Sequence, residues 1–319
     1  AAVPKGNYAD MKTSGWELSV NWSDEIELSK PLAYGFKFTL SDNSSVIEKY
    51  NNPNGLLNTY YEGQRLGDIW GYLTDGLFQT SEQLAKAVDQ SRVPSNISNK
   101  AEIALGDLRF RDLDGDGKIT SGAETLSDHG DMKIIGNGQP RYLFGLTANA
   151  SWNKIGFSIF FQGVGKRDWW PGVDASNFWG QYGRPYAYLP ADVYKNQWSP
   201  ENTGAYFPRL VGYVAQGNGD RALGAPTDRY LQNAAYIRLK NLLVSYDLPE
   251  KWISKIGMNN ARMYFSGQNL WVWSPMFKIT KALDPQGIEN KSNAESDNYI
   301  NSTYNNDQGN TYPILKNFT

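Results

Sequence analysis

The stretch YLFGLTANASWNKIGFSIFFQG, Tyr142 to Gly163, decides the fold. In its first half Tyr142, Phe144, Leu146, Ala148, Ala150 and Trp152 fall on one side, opposite Gly145, Thr147, Asn149 and Ser151. A repeat of two is the period of an extended strand, because successive side chains leave on opposite faces. Asn153 and Lys154 then make a tight turn, and Ile155, Phe157, Ile159 and Phe161 resume the pattern. The segment reads as an antiparallel hairpin.

The same alternation appears on both sides of it. Trp16, Leu18, Val20 and Trp22 alternate with Glu17, Ser19 and Asn21, and Tyr34, Phe36, Phe38 and Leu40 alternate with Gly35, Lys37, Thr39 and Ser41. YIRLKNLLVSYDL and ARMYFSGQNLWVW are strand-like as well, with a turn or one short helix at PEKWISKIG between them. Strands are therefore predicted at about 15–23, 33–41, 141–152, 155–163, 235–248 and 261–273, with a last one starting at about 315. The turns after Trp22, Trp152 and Leu248 are short, whereas the connections at about 42–140, 164–233 and 274–313 are long. In an up-and-down sheet this sends every short turn to one end and every long loop to the other, the layout of an outer-membrane barrel.

The prediction is an all-β protein, an antiparallel transmembrane β-barrel with long extracellular loops. The apolar rows are expected to meet lipid and the Ser, Thr, Asn and Lys rows a hydrated lumen. Six strands and a stub cannot close a wide barrel, so the remaining strands are expected before Ala1 and after Thr319.

Composition agrees with this reading and excludes others. The 319 residues carry 31 basic and 33 acidic side chains, and the net charge of -2 with no polybasic run speaks against nucleic acid as a partner. Cysteine is absent, which removes disulfides and thiolate chemistry. Aromatic residues reach 14% although the mean hydropathy is -0.56, and large rings on a polar chain suit surfaces that are part apolar and part wet. No apolar run approaches the roughly 18 residues of a spanning helix. The N-terminus lacks the order of a secretion signal.

In RDLDGDGKITSGAETL, Asp112, Asp114 and Asp116 stand at alternating positions before Gly117. That spacing lets three carboxylates converge on one hard cation while the glycine makes the sharp turn. The expected ligands are Asp112, Asp114, Asp116, the carbonyl of Lys118, and Glu124 or Asp128. The twelfth position of such a loop, where a bidentate acid belongs, is Ala123, and Glu124 falls one residue late. Calcium is preferred over magnesium because the ligands are many, all oxygen and on a flexible loop. The plainer account is a solvated acidic turn in which Gly115 and Gly117 supply positive φ.

Nothing marks an enzyme. His129 is the single histidine and reads as a solvated loop residue, and no pair of loop carboxylates stands out as a hydrolytic acid and base. The loop aromatics Trp169, Trp170, Trp179, Tyr182, Tyr186 and Trp198, with Phe178, Tyr188, Tyr206 and Phe207, could touch a substrate or a covering protein. For any one of them, packing the loop on itself is the preferred account.

The segments LGDIWGYLTDGLFQT, GDLRFRDLDGDGKI, KIIGNGQPRYLFGLTANASW, YIRLKNLLVSYDLP, MYFSGQNLWVW, ALDPQG and YPILKNFT occur in the order seen toward the C-terminus of SusC/RagA-type, TonB-dependent outer-membrane transporters of Bacteroidetes, which the chain resembles over essentially its whole length. The resemblance implies the last third of a roughly 22-stranded plugged barrel. It also implies import of oligosaccharides or peptides under a SusD-like surface lipoprotein, with energy arriving from TonB through an N-terminal part and plug that this chain lacks. The family usually completes its final strand, whereas this sequence stops three residues into it. The alternative is a secreted, calcium-braced β-sandwich that binds or hydrolyses glycans.

Overall fold

In the computed structural model, which describes residues 9–91, 93, 103–172, 175–182, 189–210, 223–288 and 314–319, β1 (Ala9–Ile26) and β2 (Leu32–Tyr50) pair antiparallel. Both run further than the apolar alternation predicts, because pairing continues through Ser14, Ser44 and Ser45 beyond the apolar band. There the hydroxyls of Thr13 and Ser45 hydrogen-bond across the strands at 2.7 Å.

The first long connection is not structureless. It holds β3 (Asp68–Tyr72), β4 (Thr74–Leu77), α1 (Ser81–Ala85), β5 (Leu108–Phe110) and β6 (Met132–Asn137), with β3 paired to β6 and β4 to β5. Helix α1 starts where the Gln83 amide donates to the Thr80 hydroxyl, an N-cap. β7 (Arg141–Trp152) and β8 (Ile155–Lys166) form the Tyr142–Gly163 hairpin, turning at Asn153, whose φ of 55° is the left-handed conformation that asparagine tolerates. The second connection holds β9 (Asp168–Trp169), α2 (Ser176–Trp179), α3 (Ala191–Lys195) and β10 (Gln232–Asn233), with β9 paired to β10. β11 (Tyr236–Asp247), α4 (Glu250–Ile253), β12 (Arg262–Trp273) and β13 (Asn317–Phe318) follow.

One sheet, in the order β1-β2-β7-β8-β11-β12-β13, takes all the long strands, and the other sheets have two strands each. A sandwich needs two facing sheets. Among the described residues there is no second large sheet, so the sandwich alternative is not the fold. No described helix is long and apolar enough to cross a membrane.

Register settles which residues share a face, since directly opposed residues of antiparallel strands lie on the same side. Leu18, Leu40 and Phe144 align in this way, as do Val20, Phe38, Leu146, Phe161, Leu239 and Trp271, and Phe157, Val244 and Phe265. The separate apolar rows thus merge into one face running unbroken across six strands. Ser19, Asn21, Lys37, Thr39, Thr147, Asn149, Ser158, Asn241, Ser266 and Gln268 share the other face.

β11 keeps to this face only because of a bulge. Between Leu239↔Phe161 and Asn241↔Phe160 it has one residue more than β8, Lys240. Ile237 and Leu239 lie on the apolar face before it, and Leu242, Val244 and Tyr246 after it, so odd-numbered residues hand over to even-numbered ones.

The buried core lies outside the sheet. Leu57, Tyr72, Phe110 and Ile119 from the first long connection pack with Trp169, Trp179, Phe207 and Tyr230 from the second and Met276, Leu283 and Ile288 from the third. The described parts of the three long connections form one layer at one end of the strands. Among the described residues, the outer edge of β1 has no strand partner, and β12 meets β13 at Gly267↔Phe318 and Gln268↔Asn317.

Candidate functional site

Aromatic rings fill the centre of the loop layer. Phe178 and Trp179 on α2 meet edge to face at 4.8 Å, and Phe178 meets Trp169 at 6.1 Å and Phe207 at 5.6 Å. Tyr182 and Tyr230 both stack on Phe207. Several of their polar atoms are satisfied internally, as most buried groups are. The Trp179 indole donates to the carbonyls of Pro171 and Gly172, the Tyr182 hydroxyl to Pro208 at 2.5 Å, and the Tyr206 hydroxyl to Arg229 while accepting from Gln232. Burial pushes the Tyr206 hydroxyl up to about 12, so it stays protonated.

This placement agrees with loops that pack on themselves. Trp169, Trp170, Trp179 and Tyr182 are buried, and present no ring to a ligand. Trp198 is half-buried, with its indole donating to Gln79 at 3.3 Å. Its ring lies over Gly106, where an added Cβ would sit 2.4 Å away and where φ is 85°. Tyr186 and Tyr188 lie outside the described residues.

The aspartate loop closes through its own carboxylates. Asp112 accepts from the amides of Gly115 and Gly117, Asp114 from that of Asp116, and Asp116 from that of Lys118. One oxygen from each of Asp112, Asp114 and Asp116 lies within 4.8 Å of the others. Glu124 is not part of this cluster, and Asp128 instead approaches Gly122. The residue that staples the loop is one with no role assigned from sequence. Asp131, fully buried, accepts from the Leu113 amide at 2.6 Å and the Thr120 amide at 2.8 Å, joining the two ends.

Ion pairs tie the layer to the strands. Asp42, within β2 just past the last residue it pairs with β7, takes both prongs of Arg141 on β7 at 2.5 Å. Arg238 on β11, buried on the polar face, donates to Asp284 in ALDPQG, and Asp284 also accepts from the amides of Gln286 and Ile314. Arg209 and Asp107 link the first and second connections at 2.7 Å. Asp75 receives Arg111 at 2.6 Å, and Asp68 accepts from the side-chain amide of Asn137 at 2.8 Å. His129 is half-buried with its ring 5.4 Å from that of Trp70. These contacts hold the layer in shape.

A long-stranded sheet with one continuous apolar face, carrying a layer of folded loops at one end, has the architecture of part of a transmembrane β-barrel. Sequence and structure comparisons point the same way. No family model matches the chain. It is 27% identical to TonB-dependent receptor P3 of Formosa agariphila over 98% of its own length and 28% of that protein's. TonB-dependent receptor P26 of the same organism is 27% identical over 57% of the chain and 16% of the receptor. The RagAB peptide importer in its open-open state superposes with a TM-score of 0.53 at 18% identity, covering 83% of this chain and 25% of the importer chain. The chain thus resembles SusC/RagA-type TonB-dependent transporters, and spans less than a third of the length of the curated relatives it matches. Those relatives are receptors and an importer, not enzymes.

Proposed function

We propose that the chain is the barrel portion of a TonB-dependent importer in the outer membrane of a Gram-negative bacterium of the Bacteroidetes type, with its apolar face in lipid and its polar face toward the lumen. The observation that carries this reading is the register that merges six apolar rows into one face, with every long connection at the same end. Among the described residues the outer edge of β1 has no strand partner and β12 is paired only around Ser266–Gln268, and lipid does not tolerate unpaired backbone groups. The other strands and the plug of the same transporter are their proposed partners, and TonB is proposed to act through the plug.

The proposed cargo is a peptide or an oligosaccharide, captured with a SusD-like lipoprotein over the loop layer. The likeness to a peptide importer supports the first class, and burial of the loop aromatics weakens the sequence argument for the second. We also propose one calcium ion among Asp112, Asp114, Asp116 and the Lys118 carbonyl, as a brace on the first external connection.

The test is extraction of the native protein from cell membranes with and without detergent, followed by uptake of labelled peptides and oligosaccharides in cells lacking it. Recovery only in detergent, together with a surface lipoprotein and with loss of one uptake activity, is the expected result. A soluble monomer of 35.8 kDa overturns the reading.

A further inference from the structure

The turn between β11 and β12 is longer than the Asn153–Lys154 turn beside it, and it is folded. Helix α4 starts after Pro249, runs into a 3-10 turn at Ser254–Ile256 and is closed by Gly257 at φ 75°. The Met258 amide donates to the Ile253 carbonyl and the Gly257 amide to that of Ser254, a glycine-ended helix cap. Ile253 is buried beneath it, the Leu248 amide reaches the Ala261 carbonyl, and the Asp247 amide reaches the Lys154 carbonyl of the neighbouring turn. The turn has a fixed shape.

That shape presents apolar side chains outward. Trp252 is 63% exposed, Ile256 68% and Met258 50%. They do not stand alone, since the apolar face of the sheet continues to this end through the exposed Tyr246, Met263, Trp152 and Ile155, which register places side by side. Lys251 and Lys255, each next to one of the two largest exposed side chains, are exposed, and Lys154 lies in the adjoining turn. Apolar rings and chains beside lysines match the boundary between acyl chains and phosphate headgroups, where tryptophan concentrates and lysine reaches outward.

We infer that the β11–β12 turn is a membrane-interface anchor, with Trp252 and Ile256 seated among phospholipid headgroups at the short-turn end and Lys251 and Lys255 on their phosphates. The inference rests on the membrane reading above and adds to it a surface outside the strands. A turn that only reversed the chain would need neither the buried Ile253 nor the cap.

The chain has no cysteine, so single cysteines can be placed by Ile256→Cys, Val244→Cys and, in the exposed turn between β1 and β2, Ser29→Cys, in the full transporter with any cysteines elsewhere replaced. Each is nitroxide-labelled in phospholipid vesicles and probed with oxygen and a water-soluble nickel chelate. The expected ratio of oxygen to chelate accessibility at position 256 lies between that at 244 and that at 29, and at least about threefold above the latter. A ratio at 256 equal to that at 29, with 244 in lipid, overturns the anchor and leaves the barrel standing. Shielding of 256 from both reagents assigns the turn to a protein partner and overturns the anchor as well. If 244 itself behaves like 29, the membrane reading fails and takes the anchor with it.

Discussion

The Asp42 carboxylate and the Arg141 guanidinium face each other as a two-pronged pair, 2.5 Å on each prong, where β2 and β7 leave the apolar band. The carboxylate is buried and the guanidinium mostly so, which makes this pair worth more than a surface one. Asp42→Asn leaves part of the guanidinium without a partner and costs about 1–3 kcal/mol locally. Hydrogen exchange should show faster exchange at residues 141–143, with the centre of the β2–β7 pair unchanged.

The aromatic cluster separates packing from contact. Trp179→Ala removes a fully buried ring and should cost about 3–5 kcal/mol, seen as a lower temperature for protease cleavage of the second connection. Tyr182→Phe keeps the ring and loses the hydroxyl with its bond to Pro208, for about 1–2 kcal/mol. Tyr182→Phe should leave cargo affinity unchanged, and a large loss of affinity without loss of stability would return this residue to a contact role.

Calcium should protect the amides of residues 112–119 from exchange, with one equivalent bound and a dissociation constant on the order of 10⁻⁵ to 10⁻³ M. Asp114 accepts a single loop amide, so Asp114→Asn spares most of the internal bonding while removing a charged ligand. Titration calorimetry should then show affinity at least about tenfold weaker. Equal calcium affinity in Asp114→Asn and the parent would dismiss the site.

Asp68 supplies a dependence on pH. Burial raises its carboxyl above the ordinary value of 3.8, against the opposing bonds from Asn137 and the Arg65 amide. The folded loop therefore binds this proton more tightly than the unfolded chain, and the stabilising increment present below pH 3.8 is lost as pH rises through the raised value. Protection of the Gly138 amide, which donates to Gly67 beside Asp68, should decline across that window after correction for intrinsic exchange. Asp68→Asn should flatten the profile.

What could be read in advance follows the range of each interaction. Strands were legible because one face of each is apolar along its length, as in Phe36 and Phe38 against Lys37 and Thr39, and the aspartate spacing is likewise local. β3 and β6 gave no such signal, since Gly71 and Gly136 interrupt short strands whose packing partners come from other connections. Trp169 and Trp179 were ambiguous for a chemical reason, because a ring suited to stacking on a ligand is equally suited to a core. The pairing of Arg238 with Asp284 joins residues far apart in the chain, and neither carries a local pattern that names the other. Asp131 carries no local signal because its partners are backbone amides, which nearly every residue has.

Lys240 makes β11 behave like a text with a corrected frame. Ahead of it the letters on the apolar face are Ile237 and Leu239, and behind it they are Leu242, Val244 and Tyr246; the single inserted character keeps both halves legible to the same reader. Deleting it would move Leu242, Val244 and Tyr246 to the polar face and put Asn241 and Ser245 on the apolar one, while its neighbours β8 and β12 stayed in phase. Substituting the same position would change only one character. In this strand the count of residues is under stricter constraint than the identity of the residue that sets it.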